Sequence, residues 1–89
     1  DDPVARTAAA VGAFSKAQPV RAFGMLGPLT GVFPHAAVVR FHLGLLLLWT
    51  GERKKAAAQL RLAVADGPQT IYAKEARVLL TSLGKNGTG

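Results

Sequence analysis

Few side chains in this sequence could take part in catalysis or bind a metal ion. The chain has five acidic residues, two histidines and no cysteine. His35 and His42 stand seven residues apart, which on a helix is about 10 Å along the axis. That separation is too large for both rings to bind one zinc ion. We therefore predict no metal site, and without cysteine no disulfide can form.

The acidic residues are not arranged for general acid–base catalysis. They are Asp1, Asp2, Glu52, Asp66 and Glu75. No two of them are placed so that one carboxyl group could donate a proton while the other accepts one. The glycine-containing segment 24–28 lacks the lysine and the preceding strand of a phosphate-binding loop. We predict that the protein is not an enzyme and that it needs no cofactor.

The net charge of the chain is strongly basic. Eleven lysine and arginine residues give a formal net charge of +6 and a pI of about 10.6. This balance favours acidic partners such as nucleic acid, anionic lipid or acidic peptides, although scattered cations are also typical of an ordinary solvated surface. Only Arg53, Lys54 and Lys55 form a cluster. No aromatic residues interleave with them to stack on nucleic-acid bases.

The elements that must position these residues are predicted to be helices. Apolar residues recur at helical spacing, and no segment alternates long enough to predict a strand. The expected helices cover about 4–16, 19–28, 35–49, 52–65 and 70–83. The fold class is therefore all-α. The apolar run 43–49 is too short to span a bilayer, so we expect a buried helix whose outer face needs a cover.

Local signals predict where these helices begin and end. Asp2 and Thr70 are suitable N-caps, and Gly51 and Gly84 are suitable helix ends because glycine readily adopts a left-handed conformation. Pro28 removes a backbone hydrogen bond, so the second helix should bend or end near residues 26–28. The chain starts without methionine and without a signal-peptide pattern, which predicts a processed chain or part of a longer one.

A spacing of 34 residues recurs along the chain. Pro34 and Pro68 each precede a new helical stretch, and Leu26 and Leu60 are separated by the same interval. Small residues pair at this interval too: Ala10 with Gly44, Ala17 with Gly51, and Ala22 with Ala56. A fixed period of this length predicts repeated helical hairpins.

Residues 35–68 carry the most specific part of this pattern. Its positions are Leu43, Gly44, Leu47, Gly51, Ala56, Leu60, Ala63 and Pro68. In type and order they resemble the signature of the tetratricopeptide repeat (TPR), a helix–turn–helix unit. The small side chains of Gly44 and Ala56 would allow the two helices of a hairpin to approach closely. Arg40 stands where the family usually has a large aromatic residue.

The resemblance implies a right-handed α-solenoid of antiparallel helix hairpins, formed as a single domain by residues 1–84. Residues 3–34 resemble a degenerate first repeat, and 35–68 are the best-matching repeat. Residues 69–84 resemble a capping helix, and 85–89 would be a flexible tail. Another family of helical-hairpin repeats could give a similar pattern.

A fold of this family implies a protein–protein interaction scaffold whose first helices line a concave groove. Carried over residue by residue, the groove face comprises Val4, Thr7, Val11, Phe14, Val38, Phe41, Leu45, Leu48 and Trp49. This mostly apolar face implies a partner peptide or helix of apolar or amphipathic character, with Phe41 and Trp49 as hot spots. Thr7, Val11 and His42 occupy the places of the Lys–Asn–Arg clamp that one subclass uses, which argues against binding of an acidic tail there.

Three uses of this face stay open. It could pack on the fifth helix or on repeats outside these residues, it could form a homodimer, or it could bind a foreign peptide. Repeat arrays usually need about three units for stability, which favours dimerisation or a longer parent chain. The alternative function is nucleic-acid binding through phosphate contacts of Arg53, Lys54 and Lys55, which would weaken steeply with salt.

Overall fold

The computed structural model describes residues 2–12 and 19–86 of the 89-residue chain. This part of the chain contains five α-helices and no strand, which confirms the all-α fold class. The helices are α1 (Pro3–Gly12), α2 (Pro19–Val32), α3 (Ala37–Trp49), α4 (Arg53–Asp66) and α5 (Ile71–Asn86). None of the helices in the described ranges is both long and apolar enough to cross a lipid bilayer.

Two of the helix starts are capped by the side chains that the sequence predicts. Asp2 accepts a hydrogen bond through Oδ1 from the backbone N–H of Val4 at 2.9 Å. Thr70 accepts one through Oγ1 from the backbone N–H of Ala73 at 3.2 Å. Each oxygen satisfies an N–H group that has no partner within its helix. These bonds fix where α1 and α5 begin.

The turn between α3 and α4 depends on Gly51, as predicted. Gly51 has a φ of +85°, in the left-handed region that favours glycine. Its N–H donates to the carbonyl of Leu48 at 3.1 Å, and the N–H of Glu52 donates to the carbonyl of Leu47 at 2.8 Å. This pair of bonds is the Schellman arrangement, which satisfies carbonyls at the end of α3.

Two predicted helix ends are wrong, although at Pro28 the sequence predicts either a bend or an end and only the end is contradicted. Helix α2 does not end near Pro28 but continues to Val32. Pro28 and Gly24 both lie on the exposed side, so water can reach the Gly24 carbonyl that loses its N–H partner. Helix α5 continues past Gly84 to Asn86, because Gly84 does not adopt a positive φ. The predicted tail therefore starts as helix, and residues 87–89 lie outside the described residues.

Each helix contacts the next helix in sequence, and the odd-numbered helices also contact one another. Each helix packs on the next in sequence, most extensively α3 on α4. In addition α1 packs on α3, and α3 packs on α5, whereas within the described residues α2 does not contact α4. The odd-numbered helices therefore contact one another in succession, α1 with α3 and α3 with α5.

Helix α3 takes part in both clusters of the apolar core. The first cluster lies between α2 and α3 and contains Leu26, Leu29, Val38, Val39 and Leu46. The second lies between α4 and α5 and contains Leu60, Ala63 and Ala76, with Phe41 and Leu48 of α3 packed against it. A helix as apolar as α3 is stable here because neighbours cover it on more than one side.

The close approach of α3 and α4 explains the small residue at position 44. A Cβ atom on Gly44 would lie 2.8 Å from Cδ2 and 2.9 Å from Cγ of Leu60. Ala56, on the same side of α4, is fully buried. The predicted need for a small residue at Gly44 is thereby confirmed, and Ala56 lies at the same approach, because its carbonyl oxygen would be 3.4 Å from that Cβ atom. Arg40 bridges the same two helices, donating through Nη1 to Oε1 of Gln59 at 3.0 Å.

Candidate functional site

Four residues of α3 share one face at intervals of four, seven and eleven residues from the first. We call this face the α3 stripe, and it consists of Val38, His42, Leu45 and Trp49. Exposure increases along it: Val38 is 6% exposed, His42 and Leu45 are half-buried, and Trp49 is 60% exposed. The accessible part of the stripe is therefore its C-terminal end.

Two residues of the predicted groove face pack against the second core cluster. Phe41 and Leu48 are half-buried and pack against the cluster between α4 and α5. The ring of Phe41 lies 5.9 Å from that of Tyr72, centroid to centroid. For Phe41 the structure shows packing on the fifth helix, one of the three uses that the sequence leaves open.

The predicted groove residues of α1 divide between surface and interior. Val4 is 48% exposed and Thr7 only 1% exposed. Thr7 Oγ1 is buried and has no hydrogen-bond partner among the described residues. The side chain of Val11 and all of Phe14 lie outside the described residues. Thr7 and Val38 are both buried within the described part of the chain, and Val38 belongs to the cluster between α2 and α3.

Three rings join the α3 stripe to α5. The His42 ring lies 5.2 Å from Phe41, edge to face, and 6.0 Å from Tyr72 of α5. His42 Nδ1 is 2.8 Å from the Val38 carbonyl. Since a carbonyl only accepts, Nδ1 carries the proton and donates it there. His42 is thus held in place by its own helix, and Tyr72 is a neighbour of the stripe that the sequence analysis did not identify.

The basic cluster lies at the start of α4, and its members do not share one environment. Arg53, Lys54 and Lys55 are all exposed, as predicted for an outer surface. Arg53 and Lys54 line an open cleft between α4 and α5, together with Arg61, but Lys55 does not. The sequence analysis missed Arg61, although its spacing of eight residues from Arg53 places both on one face of α4.

The two histidines lie in different surroundings and gather no metal-binding set. His35 Nδ1 lies 3.3 Å from Oδ1 of Asp66, the last residue of α4. The His35 side chain is mostly solvent-exposed, whereas that of Asp66 is mostly covered. In the described ranges no group of three or more histidine, aspartate or glutamate side chains comes together. The His35–Asp66 contact links the segment before α3 to the end of α4.

Comparisons of the chain with protein-family models, with curated proteins and with solved structures find no match.

Proposed function

We propose that this chain is a protein–protein interaction scaffold built of TPR-like helical hairpins. It binds an apolar or amphipathic peptide or helix, or a second copy of itself, through the C-terminal end of the α3 stripe. The observation that carries this proposal is the exposure of Trp49, which is 60% exposed at the end of the most apolar helix. A fully buried tryptophan covers about 150–250 Å², and more than half of the Trp49 surface is still available to a partner.

The neighbours of Trp49 support a binding surface rather than an isolated apolar residue. Leu45 lies one turn earlier on the same face and is half-buried. His42 follows, with Phe41 and Tyr72 against it. Aromatic side chains lose little conformational entropy when a partner orders them, so binding at such a surface has a small entropic cost. An apolar side chain of a partner would pack between Leu45 and Trp49.

The arrangement of the helices supports the TPR-like solenoid. The contacts of α1 with α3 and of α3 with α5 are those expected when the first helices of successive hairpins stand side by side. Gly44 against Leu60 and the left-handed Gly51 give the hairpin of α3 and α4 the close packing and the tight turn that the resemblance implies. In this arrangement the α3 stripe belongs to the row of first helices, where partners of such folds bind.

The chemistry of the stripe selects an uncharged, apolar contact. Its four residues include no lysine, arginine or carboxylate. His42 uses Nδ1 for the Val38 carbonyl, so it does not offer that nitrogen to a partner. We therefore expect the affinity to come from burial of apolar area, of which Trp49 contributes about 2 kcal/mol or more.

A peptide-display selection against the immobilised chain tests this function. Selected peptides should be apolar or amphipathic, and Trp49→Ala should weaken their affinity about thirtyfold, measured by fluorescence anisotropy. Ile71→Ala is the control, because Ile71 is 65% exposed on α5 and lies outside the stripe. Circular dichroism must show equal helicity for both variants. Equal affinity of the wild-type chain and Trp49→Ala would contradict the proposal.

A further inference from the structure

A second surface lies between α4 and α5, away from the α3 stripe. This α4–α5 cleft is open to solvent and has a volume of about 380 Å³. Helix α4 contributes Arg53, Lys54, Ala57 and Arg61. Helix α5 contributes Leu80, Leu83 and Gly84. The volume is that of a small binding pocket, with room for a few side chains of a partner rather than for a whole helix.

The floor of the cleft is aliphatic and supported from below. Leu80 and Leu83 are half-buried and pack against the core cluster of Leu60, Ala63 and Ala76. Their remaining surface faces the cleft. At Gly84 an added Cβ would meet no atom within 4 Å, so this end of the cleft is open space. An apolar side chain could therefore enter without displacing a residue of the fold.

The rim of the cleft is cationic. Arg53, Lys54 and Arg61 are exposed, and none of them pairs with a carboxylate among the described residues. Arg53 and Arg61 lie eight residues apart on one face of α4, which is roughly 12 Å along the axis. The nearest acid in sequence is Glu52, which is exposed before the helix and does not line the cleft. The cleft thus combines an apolar floor with positive charge that no carboxylate of the described residues neutralises.

We propose that the α4–α5 cleft binds an acidic amphipathic segment of another protein. Leucine-like side chains of that segment would occupy the floor over Leu80 and Leu83. Its carboxylates would pair with Arg53, Lys54 and Arg61, and carboxylates seven or eight residues apart on a helix match the roughly 12 Å between the two arginines. This inference does not depend on the proposed function, because it concerns a different surface and different residues.

The chemistry of the cleft favours this occupant over nucleic acid. Phosphates would use the rim but gain nothing from an aliphatic floor, and the residues that line the cleft include no aromatic ring on which a base could stack. Lys55, which belongs to the predicted nucleic-acid site, stands outside the cleft. A partner that presents both carboxylates and apolar side chains uses the rim and the floor together.

A second copy of this chain does not have the required chemistry. Among the described helices, α4 carries only Asp66 and α5 carries only Glu75 as acidic residues, and α1, α2 and α3 carry none. No helix of the described ranges therefore offers two carboxylates beside an apolar face. The occupant must come from a more acidic protein.

The test uses a designed probe and fluorescence anisotropy in 50 mM salt. The probe is a fluorescein-labelled peptide of about fourteen residues with leucines on one helical face and glutamates on the other. The wild-type chain should bind it, and Arg53→Glu with Arg61→Glu should weaken binding at least about tenfold. The control is Lys55→Glu with Lys74→Glu, which makes the same change in net charge at exposed residues outside the cleft. It should bind within about twofold of the wild type.

A second pair of variants tests the cleft where folding is not at risk. Gly84→Glu introduces a carboxylate into open space at the end of the cleft, where it should repel the probe and occupy the rim cations. Ser82→Glu adds the same charge to α5 outside the cleft and should have little effect. Circular dichroism of all four variants should match that of the wild type.

Three results would overturn this proposal. Equal losses for the rim pair and the Lys55–Lys74 pair would mean that only the overall charge attracts the probe. Equal binding of a scrambled probe of the same composition would mean that the floor takes no part. Tighter binding of a 20-nucleotide DNA, with loss on Lys55→Glu, would assign the cations to nucleic acid instead.

Discussion

The α3 stripe and the α4–α5 cleft lie on either side of one short turn, yet their chemistry differs. Trp49 ends α3, and Arg53 begins α4 only four residues later. The stripe is apolar and aromatic, whereas the cleft places cations around an aliphatic floor. The difference follows from the two helices. Helix α3 is apolar on nearly all sides. The part of its apolar surface that the neighbouring helices do not cover lies at its C-terminal end, at Trp49. Helix α4 packs with small residues and carries its charges outward.

Both surfaces depend on the same interface between α3 and α4. Gly44 allows Leu60 to lie directly against α3, and Leu60 is fully buried in the cluster that supports Leu80 and Leu83. A substitution at this interface should disrupt both surfaces, so that neither binds its ligand. A substitution at one surface should affect only the ligand of that surface and so make the difference between the two surfaces measurable.

The largest effect is expected from Leu60→Ala. The substitution leaves a cavity in the core and should lower the free energy of unfolding by about 2–5 kcal/mol, with loss of binding at both surfaces. Leu62→Ala is the matched control, since Leu62 is partly exposed on the same helix and should cost less than about 1 kcal/mol. Urea denaturation followed by circular dichroism measures both. Equal losses would mean that Leu60 is not the residue on which both surfaces depend.

The two surfaces should respond independently to their own substitutions. Trp49→Ala should weaken a peptide selected for the α3 stripe about thirtyfold and change the acidic probe by less than about twofold. Arg53→Glu with Arg61→Glu should give the reverse pattern, because substitutions at separate sites are usually additive. Anisotropy titrations of both ligands with both variants give the four values. Loss of both ligands in one variant would show that the surfaces are one site.

A smaller effect is expected at the turn that separates the surfaces. Gly51→Ala forces a side chain into a left-handed conformation and should lower the free energy of unfolding by about 1 kcal/mol. Gly24→Ala is the opposite control, because Gly24 is helical in α2 and an added Cβ meets no atom within 4 Å. It should raise stability by roughly 0.5–1 kcal/mol. Thermal unfolding scans would show whether the two changes in stability have opposite signs. A Gly51→Ala variant as stable as the wild type would contradict the role assigned to the turn.

Salt should produce the smallest difference between the surfaces. Between 50 and 300 mM salt we expect the acidic probe to lose several-fold in affinity, because its ion pairs lie at an exposed rim. The peptide bound at the stripe should change by less than about twofold. The same anisotropy assay, repeated at four salt concentrations, measures both slopes. Parallel slopes would remove the distinction between an apolar and a charged surface.

Features that depend on local chemistry were predictable from the sequence. The caps at Asp2 and Thr70 and the left-handed Gly51 involve bonds that span only a few residues. The close approach at Gly44 was also predictable, because the 34-residue spacing aligns Gly44 with another small residue, Ala10.

Features that depend on the packing of distant segments were not predictable. The continuation of α2 depends on whether solvent reaches Gly24, and the burial of Thr7 depends on how α1 packs on the neighbouring helices α2 and α3. The α4–α5 cleft combines Arg61 with Leu80 and Leu83, which are about twenty residues further along the chain. No short-range pattern brings these residues together, since their proximity is a product of the hairpin.

The emission of Trp49 tests the central claim most directly, because it is the only tryptophan in the chain. In a dilute solution the account predicts the long-wavelength emission of a water-exposed indole that acrylamide quenches readily. Addition of a selected peptide, or a hundredfold increase in chain concentration if a second copy is the partner, should shift the emission to shorter wavelength and protect it from quenching. Emission that is already short-wavelength and protected in the dilute chain, or that stays unchanged when the peptide binds, would contradict the account.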